Sequence, residues 1–400
     1  MSTVTVFVPK DAAAISVGAD DVAAALSQEA QNRGIDINLI RNGSRGLLWL
    51  EPLVEVETPS GRVAFGPVAR GDIVSLFDAD FLSAGDHVLG HGLTEDIPYL
   101  ANQERLIFAR CGVADPLDLG AYETQGGLVG LKKALELEST AITEEVTLSG
   151  LRGRGGAGFP AGIKWETVRK EVAEQKYICC NADEGDSGTF ADRMLIEGDP
   201  FVLLEGMVIA GRAVGADTGY IYIRSEYPYA IRTLTDAVSR FEQAGLLGEN
   251  ILGSGQAFAI HIRVGAGAYI CGEESSMLES LEGKRGQVRA KPPIPAISGL
   301  FGKPTVVNNV LTLATVPYVL ANGGKTYSEY GQGKSLGTQP FQLAGDIARG
   351  GLVEKVFGVT LRELIEGFGG GTRSGRPVRT AQVGGPLGAY IPESAFDVHM

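Results

Sequence analysis

Five glycines fall within nine positions at 150–158, in the run Gly150-Leu151-Arg152-Gly153-Arg154-Gly155-Gly156-Ala157-Gly158, which continues through Phe159-Pro160 to Lys164-Trp165. Glycines let a backbone take positive φ and bring N–H groups close to an anion, and a following helix start adds its positive dipole end. Residues 149–170 carry Arg152, Arg154, Lys164, Arg169 and Lys170 against Glu166 alone. This points to phosphate binding. No Gly-Lys-Ser/Thr closes the loop, so it is not a Walker A motif, and the plain alternative is a flexible surface loop. A second cluster, Asn181-Ala182-Asp183-Glu184-Gly185-Asp186-Ser187-Gly188-Thr189-Phe190, directly follows a β-rich run. Three carboxylates within four residues repel one another. They suit hydrogen bonds to sugar hydroxyls and ring N–H groups, with a metal site or a solvated turn as alternatives. A third cluster, Gly265-Ala266-Gly267-Ala268-Tyr269-Ile270-Cys271-Gly272-Glu273-Glu274, reads equally as a cofactor loop or a capped helix start. The fourth joins Lys291-Pro292-Pro293-Ile294-Pro295 to Pro304-Thr305-Val306-Val307-Asn308-Asn309-Val310-Leu311-Thr312. Its paired asparagines suit phosphate or ring edges, or serve as helix caps.

Other chemistries find less support. Cys111, Cys179, Cys180 and Cys271 include no C-x-x-C spacing, and an adjacent pair on a strand points to opposite faces, so buried structural thiols are expected. His87 and His91 stand four apart, but Gly90 and Gly92 disfavour a helix there and no third ligand is near, so no metal site is expected. With 35 Lys+Arg against 48 Asp+Glu, the net charge of −13 argues against nucleic-acid binding. A hydrophobic content of 44% excludes disorder as the main state. No apolar run reaches the ~18 residues of a membrane span; the strongest, 201–214, is broken by Glu205 and Arg212. Lys10 and Asp11 interrupt any signal peptide, so a cytoplasmic location is expected.

The elements that must position these clusters are legible in outline. Residues 3–8 form a β-rich run, Gly18-Ala19-Asp20 opens a periodic helix ending near Gly34, and 35–40 is a second strand. Two further strands, 51–58 and 62–68, turn at Pro59-Ser60-Gly61 before a closing helix at 71–77. That order predicts a thioredoxin-like layer over 1–84, followed by an irregular connecting arm at 85–118. Over 119–330, strands at 176–180 and 219–223 alternate with helices at 201–214 and 229–243, giving an α/β unit with a mainly parallel sheet. Gly331-Gln332-Gly333-Lys334-Ser335-Leu336-Gly337 reads as a linker into a small α+β module ending at 400, with a helix at 360–367.

Taken together, GRGGAGFPAGIKW, NADEGDSGTF, GAGAYICGEES and KPTVVNNV, in this order and spacing, resemble the flavin-bearing, NADH-oxidising subunit of the complex I family. The resemblance spans about 120–400 and is nearest to the beta subunit of soluble molybdenum-dependent formate dehydrogenase. It implies a Rossmann-like FMN-binding domain, a thioredoxin-like domain before it and a ubiquitin-like module after it. It further implies hydride transfer between NADH/NAD⁺ and FMN, with electrons passing singly to iron–sulfur clusters in a multi-subunit complex that includes molybdenum-containing partners. By resemblance, Gly153, Arg154, Gly155, Lys164, Asn181, Asp183, Tyr269, Gly272, Glu273, Glu274, Val307, Asn308, Asn309 and Thr312 hold FMN. Gly156, Ala157, Phe159, Glu184 and Asp186 face the nucleotide, with Glu184 limiting NADH affinity by repelling the pyrophosphate. Hydride transfer needs positioning, so no acid–base dyad is expected.

Three departures qualify the resemblance. Phe159 is kept, but Thr167 and Ile294 stand where complex I subunits usually carry Phe, so weaker stacking on NAD is expected. Around residues 43–56, Ser44 and Leu48 replace the closely spaced cysteines of the related [2Fe–2S] subunit, which leaves that layer a docking role. The C-x-x-C-x-x-C motif for a [4Fe–4S] cluster is not in these 400 residues, so the cluster is expected in a C-terminal part beyond them. The alternatives are a diaphorase subunit of a hydrogenase or of complex I, and a non-catalytic scaffold.

Overall fold

A computed structural model of the chain describes residues 3–400. The N-terminal sheet contains β1 (Val4–Phe7), β2 (Ile37–Ile40), β3 (Val54–Thr58), β4 (Gly61–Phe65) and β5 (Gly90–Leu93), in the order β2-β1-β3-β4-β5. β1 and β2 run parallel across the helix Ala19–Arg33, and the remaining pairs are antiparallel. Gly18 and Gly34 bound that helix in left-handed conformations, φ 102° and 65°. Val22, Leu26 and Ala30 then face Val6, Val54, Val56 and Phe65. The β-α-β-β-β order and the closing helix (Ile73–Asp78) match the reading from sequence. The layer nevertheless continues past 84: β5 pairs with β4, and a short helix at Pro98–Ala101 follows, so part of the expected arm is ordered sheet edge.

Ser44 and Leu48 have taken on packing duties. The Ser44 hydroxyl donates to Glu51 Oε1 at 2.7 Å, and Leu48–Leu50 is a short helical turn. Across the seam, Ala12 N donates to Glu197 Oε2 (2.7 Å) and Leu352 N to the Gly46 carbonyl (3.0 Å). Burial, reinforced by the Asp11 charge, pushes Glu51 up to about 8. A carboxyl raised on folding costs nothing below its ordinary value near 4.5, and the cost grows as pH climbs to the folded value. Thermal unfolding should therefore show stability falling from pH 5 to pH 9. Glu51→Gln should flatten that slope and raise stability at pH 9; an unchanged slope would show that Glu51 is not its source.

The second sheet comprises β6 (Tyr177–Ala182), β7 (Thr218–Ile223), β8 (Ala259–Val264) and β9 (Thr305–Asn309), all parallel, in the order β8-β7-β6-β9. The chain steps outward from β6 to β8, then returns to place β9 on the far side of β6. Strand order thus reverses between β6 and β9, and in open parallel sheets the crevice at the carboxyl ends of such a pair is where ligands bind. Below it, the helices Pro200–Val214 and Val310–Asn322 are apolar around nearly their whole circumference and lie in the main core. The two charges that interrupt the first of them are anchors. Glu205 accepts from Leu128 N and Leu131 N (2.9 Å each) and from the Tyr122 hydroxyl, while Arg212 donates to the Leu137 carbonyl.

The C-terminal part holds β10 (Gly331–Gln332), β11 (Ser335–Leu336), β12 (Thr338–Leu343), β13 (Gly351–Val356), β14 (Thr380–Val383) and β15 (Ala389–Pro392). Residues 331–337 form a β10/β11 hairpin where a linker was expected, because Gly-Lys-Ser composition serves tight turns as well as linkers. The module is α+β, its other strands pairing as two antiparallel ladders, β12/β13 and β14/β15, with a helical turn at Glu363–Phe368. It shares a core with the N-terminal layer, where Leu47, Leu50, Tyr99 and Leu100 meet Val353, Leu364 and Phe368.

Candidate functional site

The four sequence clusters converge on the crevice at β6 and β9. Asn181, near the end of β6, lies opposite Asn309 of β9. The glycine loop crosses above them, and a Cβ on Gly155 would stand 3.1 Å from Asn309 Cβ, so the close approach favours glycine. Arg154 N donates to Thr312 Oγ1 (2.9 Å), fixing the loop to the start of the helix after β9. From the helix Ala161–Lys170, Lys164 Nζ reaches the Val307 carbonyl at 2.7 Å and lies 3.8 Å from Glu274. Trp165 Nε1 donates to Asn308 Oδ1 at 2.8 Å. On the other side, Asn181 Nδ2 donates to the Gly272 carbonyl (2.8 Å). Glu273 caps the helix Glu274–Leu281, accepting from Ser275 N and Ser276 N. Lys291 bridges Glu273 and Glu274 at 3.0 and 2.8 Å.

Asp183 ends this framework. It is 8% exposed, and among the described residues no protein donor reaches its carboxylate. Burial pushes it up to about 6. Beside it Gly185 passes beneath the Tyr269 ring, where a Cβ would come within 2.9 Å, and the Tyr269 hydroxyl donates to Asp186 Oδ1 at 2.6 Å. A cleft of about 340 Å³ opens here, lined by Asp186, Ser187, Gly188, Phe190, Arg193, Arg224 and Tyr227.

Several sequence-predicted roles look different in place. Glu184 does not stand free at the groove: its carboxylate accepts from Asp192 N and Arg193 N (3.2 Å each) and from the Tyr227 hydroxyl (3.1 Å), and burial raises its pKa. Nor is the basic loop a pool of free cations. The Arg154 guanidinium turns inward to the Tyr327 hydroxyl and to the Leu336 and Thr338 carbonyls, and Arg169 and Lys170 pair with Glu166. Phe159 is half exposed at the rim, with Gly156 and Ala157 beside it, and Ile294 is exposed too. Trp165, Asp192 and Lys291 belong to the framework but were given no role from sequence. Trp165, next to Lys164 on the same helix, and Lys291, at the head of the fourth cluster, carry a local signal in the sequence, and Asp192 carries none. The four cysteines are buried thiols. His87 and His91 contact Ser75 and the Gly66 carbonyl separately, and no group of three or more His, Cys, Asp or Glu among the described residues is arranged to hold a metal ion.

Residues 146–318 match the family described as the Nuo51 FMN-binding domain. A NADH-quinone oxidoreductase subunit of Rhizobium meliloti is 48% identical over 298 residues, covering 74% of this chain and 71% of that protein. The chain belongs to this family. The NADP-reducing hydrogenase subunit HndC of Solidesulfovibrio fructosivorans is 47% identical, with 74% of this chain and 60% of that protein covered. A NADH-quinone oxidoreductase subunit of Escherichia coli is 44% identical, with 71% and 64% covered. A chain of a NAD⁺-reducing [NiFe]-hydrogenase, solved in its air-oxidized state, superposes with a TM-score of 0.62 at 28% identity, over 100% of this chain and 66% of the other. The chain thus spans about two thirds of the length of these relatives.

The family's FMN-binding domain finds residues here that fit the group. Among the described residues, the amides of Gly155, Gly156, Ala157 and Gly158 have no protein acceptor, which leaves four donors for a phosphate. The unpartnered Asp183 carboxylate is an acceptor for a ring N–H.

Proposed function

We propose that this chain is the flavoprotein subunit through which a multi-subunit oxidoreductase exchanges a hydride with NADH/NAD⁺ and passes electrons singly to iron–sulfur partner subunits. The observation that carries the reading is the convergence of free loop amides and an orphaned carboxylate at the point of strand-order reversal. FMN, when bound, supplies an acceptor for two electrons that can be released one at a time. The chain's own residues bind and orient it. The amides of 155–158 take the phosphate, Asp183 accepts a ring N–H, and Lys164, held between Val307 O and Glu274, brings the nearby cation. Burial lowers the Lys164 pKa, with Glu274 opposing the shift. Gly153, Gly272, Asn308, Asn309 and Thr312 shape the floor, and Phe159 and Tyr269 present exposed rings to the nucleotide. The module at 331–400 and the layer at 1–84 serve as supporting and docking domains.

For the complex, the diaphorase role in complex I or in an NAD-linked hydrogenase is the better-supported reading, since the relatives above are named for those assemblies. A formate dehydrogenase with a molybdenum partner takes second place, resting on motif detail such as Asp186-Ser187. No helix among the described residues is long and apolar enough to cross a membrane. Titrating flavin-stripped protein with FMN, followed by flavin fluorescence, tests the reading: saturable one-to-one binding is expected, and its absence would overturn it. Lys164→Ala should weaken that binding about 10-fold, as for a hydrogen bond involving a charged group; unchanged affinity would remove Lys164 from the site.

A further inference from the structure

Asp192 lies just beneath the crevice, in the first turn of the helix Ala191–Gly198, and is 4% exposed. Its Oδ2 accepts from Asn309 Nδ2 at 2.7 Å. The other end of the same amide is also committed, because Asn309 Oδ1 accepts from Leu311 N at 2.8 Å and caps the helix that follows β9. With its oxygen and one N–H fixed from opposite sides, the amide has one orientation, and one N–H remains to spend. Gly155 rests on the Asn309 side chain, so this amide is part of the floor beneath the glycine loop. Asp192 is held in turn, since its own N–H donates to Glu184 Oε1, and Glu184 is tied to Tyr227. A run of contacts therefore leads from Tyr227 through Glu184 and Asp192 to Asn309.

We propose that Asp192 is a positioning residue for the flavin site, fixing the Asn309 amide so that its remaining N–H faces the bound cofactor. The inference rests on the reading of the crevice as the FMN site. Asp192 touches no cofactor itself. A buried acid here is otherwise hard to account for, because burial raises its pKa well above the ordinary carboxylate value and the nearby Glu184 charge raises it further. An apolar residue would avoid that cost, but it would leave Asn309 Nδ2 without its acceptor and the amide free to turn.

The test uses the full chain stripped of flavin and titrated with FMN, with a double-mutant cycle. Asp192→Ala should weaken FMN binding about 10- to 50-fold, the scale of leaving a buried donor unpaired and its amide free to turn. Asp192→Asn keeps an accepting oxygen and should stay within about 3-fold of the unsubstituted protein. In an Asn309→Ala background, Asp192→Ala should add less than about 2-fold, because the amide it orients is gone. Asp192→Ser supplies the same comparison if the alanine variant loses its fold. Unchanged affinity in Asp192→Ala, equal damage from Asp192→Asn, or an undiminished effect in the Asn309→Ala background would each overturn the role. Failure of the unsubstituted protein to bind FMN would instead defeat the site reading beneath it.

Discussion

Asp183→Ala lowers the affinity of the stripped protein for FMN by about 100-fold, the upper range for a hydrogen bond to a charged group. Asp183 is 8% exposed as a residue and no described protein donor satisfies its carboxylate, so a ligand N–H replaces no hydrogen bond that the fold supplies. Its pH dependence gives an independent check. Asp183 titrates at about 6, raised by burial from its ordinary 3.8. Protonation removes a negative acceptor, so FMN affinity should fall as pH drops through 6 and level off above 7. The stability of the empty protein should move the other way. The cost of burying this charge is absent below about pH 4 and complete above 6, so Asp183→Asn should stabilise the empty protein at neutral pH while weakening its hold on flavin. Isothermal titration across pH 5–8 measures the first effect and thermal unfolding the second. Affinity that is flat with pH and unchanged in Asp183→Ala would mean that the carboxylate faces no flavin.

Glu354→Ala costs about 3–5 kcal/mol of folding stability. Glu354 is fully buried on β13, and its carboxylate accepts from Ile107 N (3.0 and 3.2 Å), Phe108 N (3.0 Å) and the Thr338 hydroxyl. Alanine leaves three buried donors unpaired and opens a cavity between the 104–108 segment and the C-terminal module. Denaturant unfolding with a flavin-independent probe should show a lower midpoint. Flavin binding in the fraction that stays folded should change little, because Glu354 lies outside the crevice. A loss below 1 kcal/mol would show that these segments are held together by apolar contacts alone.

Sequence reasoning went furthest where local composition decides conformation. The run expected at 176–180 overlaps the central strand Tyr177–Ala182, which starts one residue later and runs two further, and the helix expected at 201–214 is Pro200–Val214, with Pro at its first position and Gly215 in a left-handed stop. Pairing order was out of reach. Nothing in the β9 sequence says that it returns beside β6, and that reversal is what defines the crevice. Arg154, Arg169 and Lys170 of the basic segment have partners within the protein. Arg169 and Lys170 stand three and four residues after Glu166, a helical spacing that neutralises them, and this could have been seen in the sequence. Arg154 could not, since apart from the Arg152 carbonyl the groups its guanidinium bonds, Tyr327, Leu336 and Thr338, lie beyond residue 320. The sequence shows Glu184 as a free charge, because its donors, the amides of Asp192 and Arg193, reach it only once the 185–190 loop has turned back on itself. Asp192 was missed because its partner Asn309 is 117 positions away.

The hydride-transfer reading is tested most directly by an anaerobic titration of the FMN-loaded chain with NADH, followed by the visible absorbance of the flavin. The yellow colour should bleach with NADH in stoichiometric proportion to bound FMN, and NAD⁺ alone should leave it unchanged. Bound FMN that stays oxidised under excess NADH would contradict hydride transfer and leave this chain a flavin-holding scaffold.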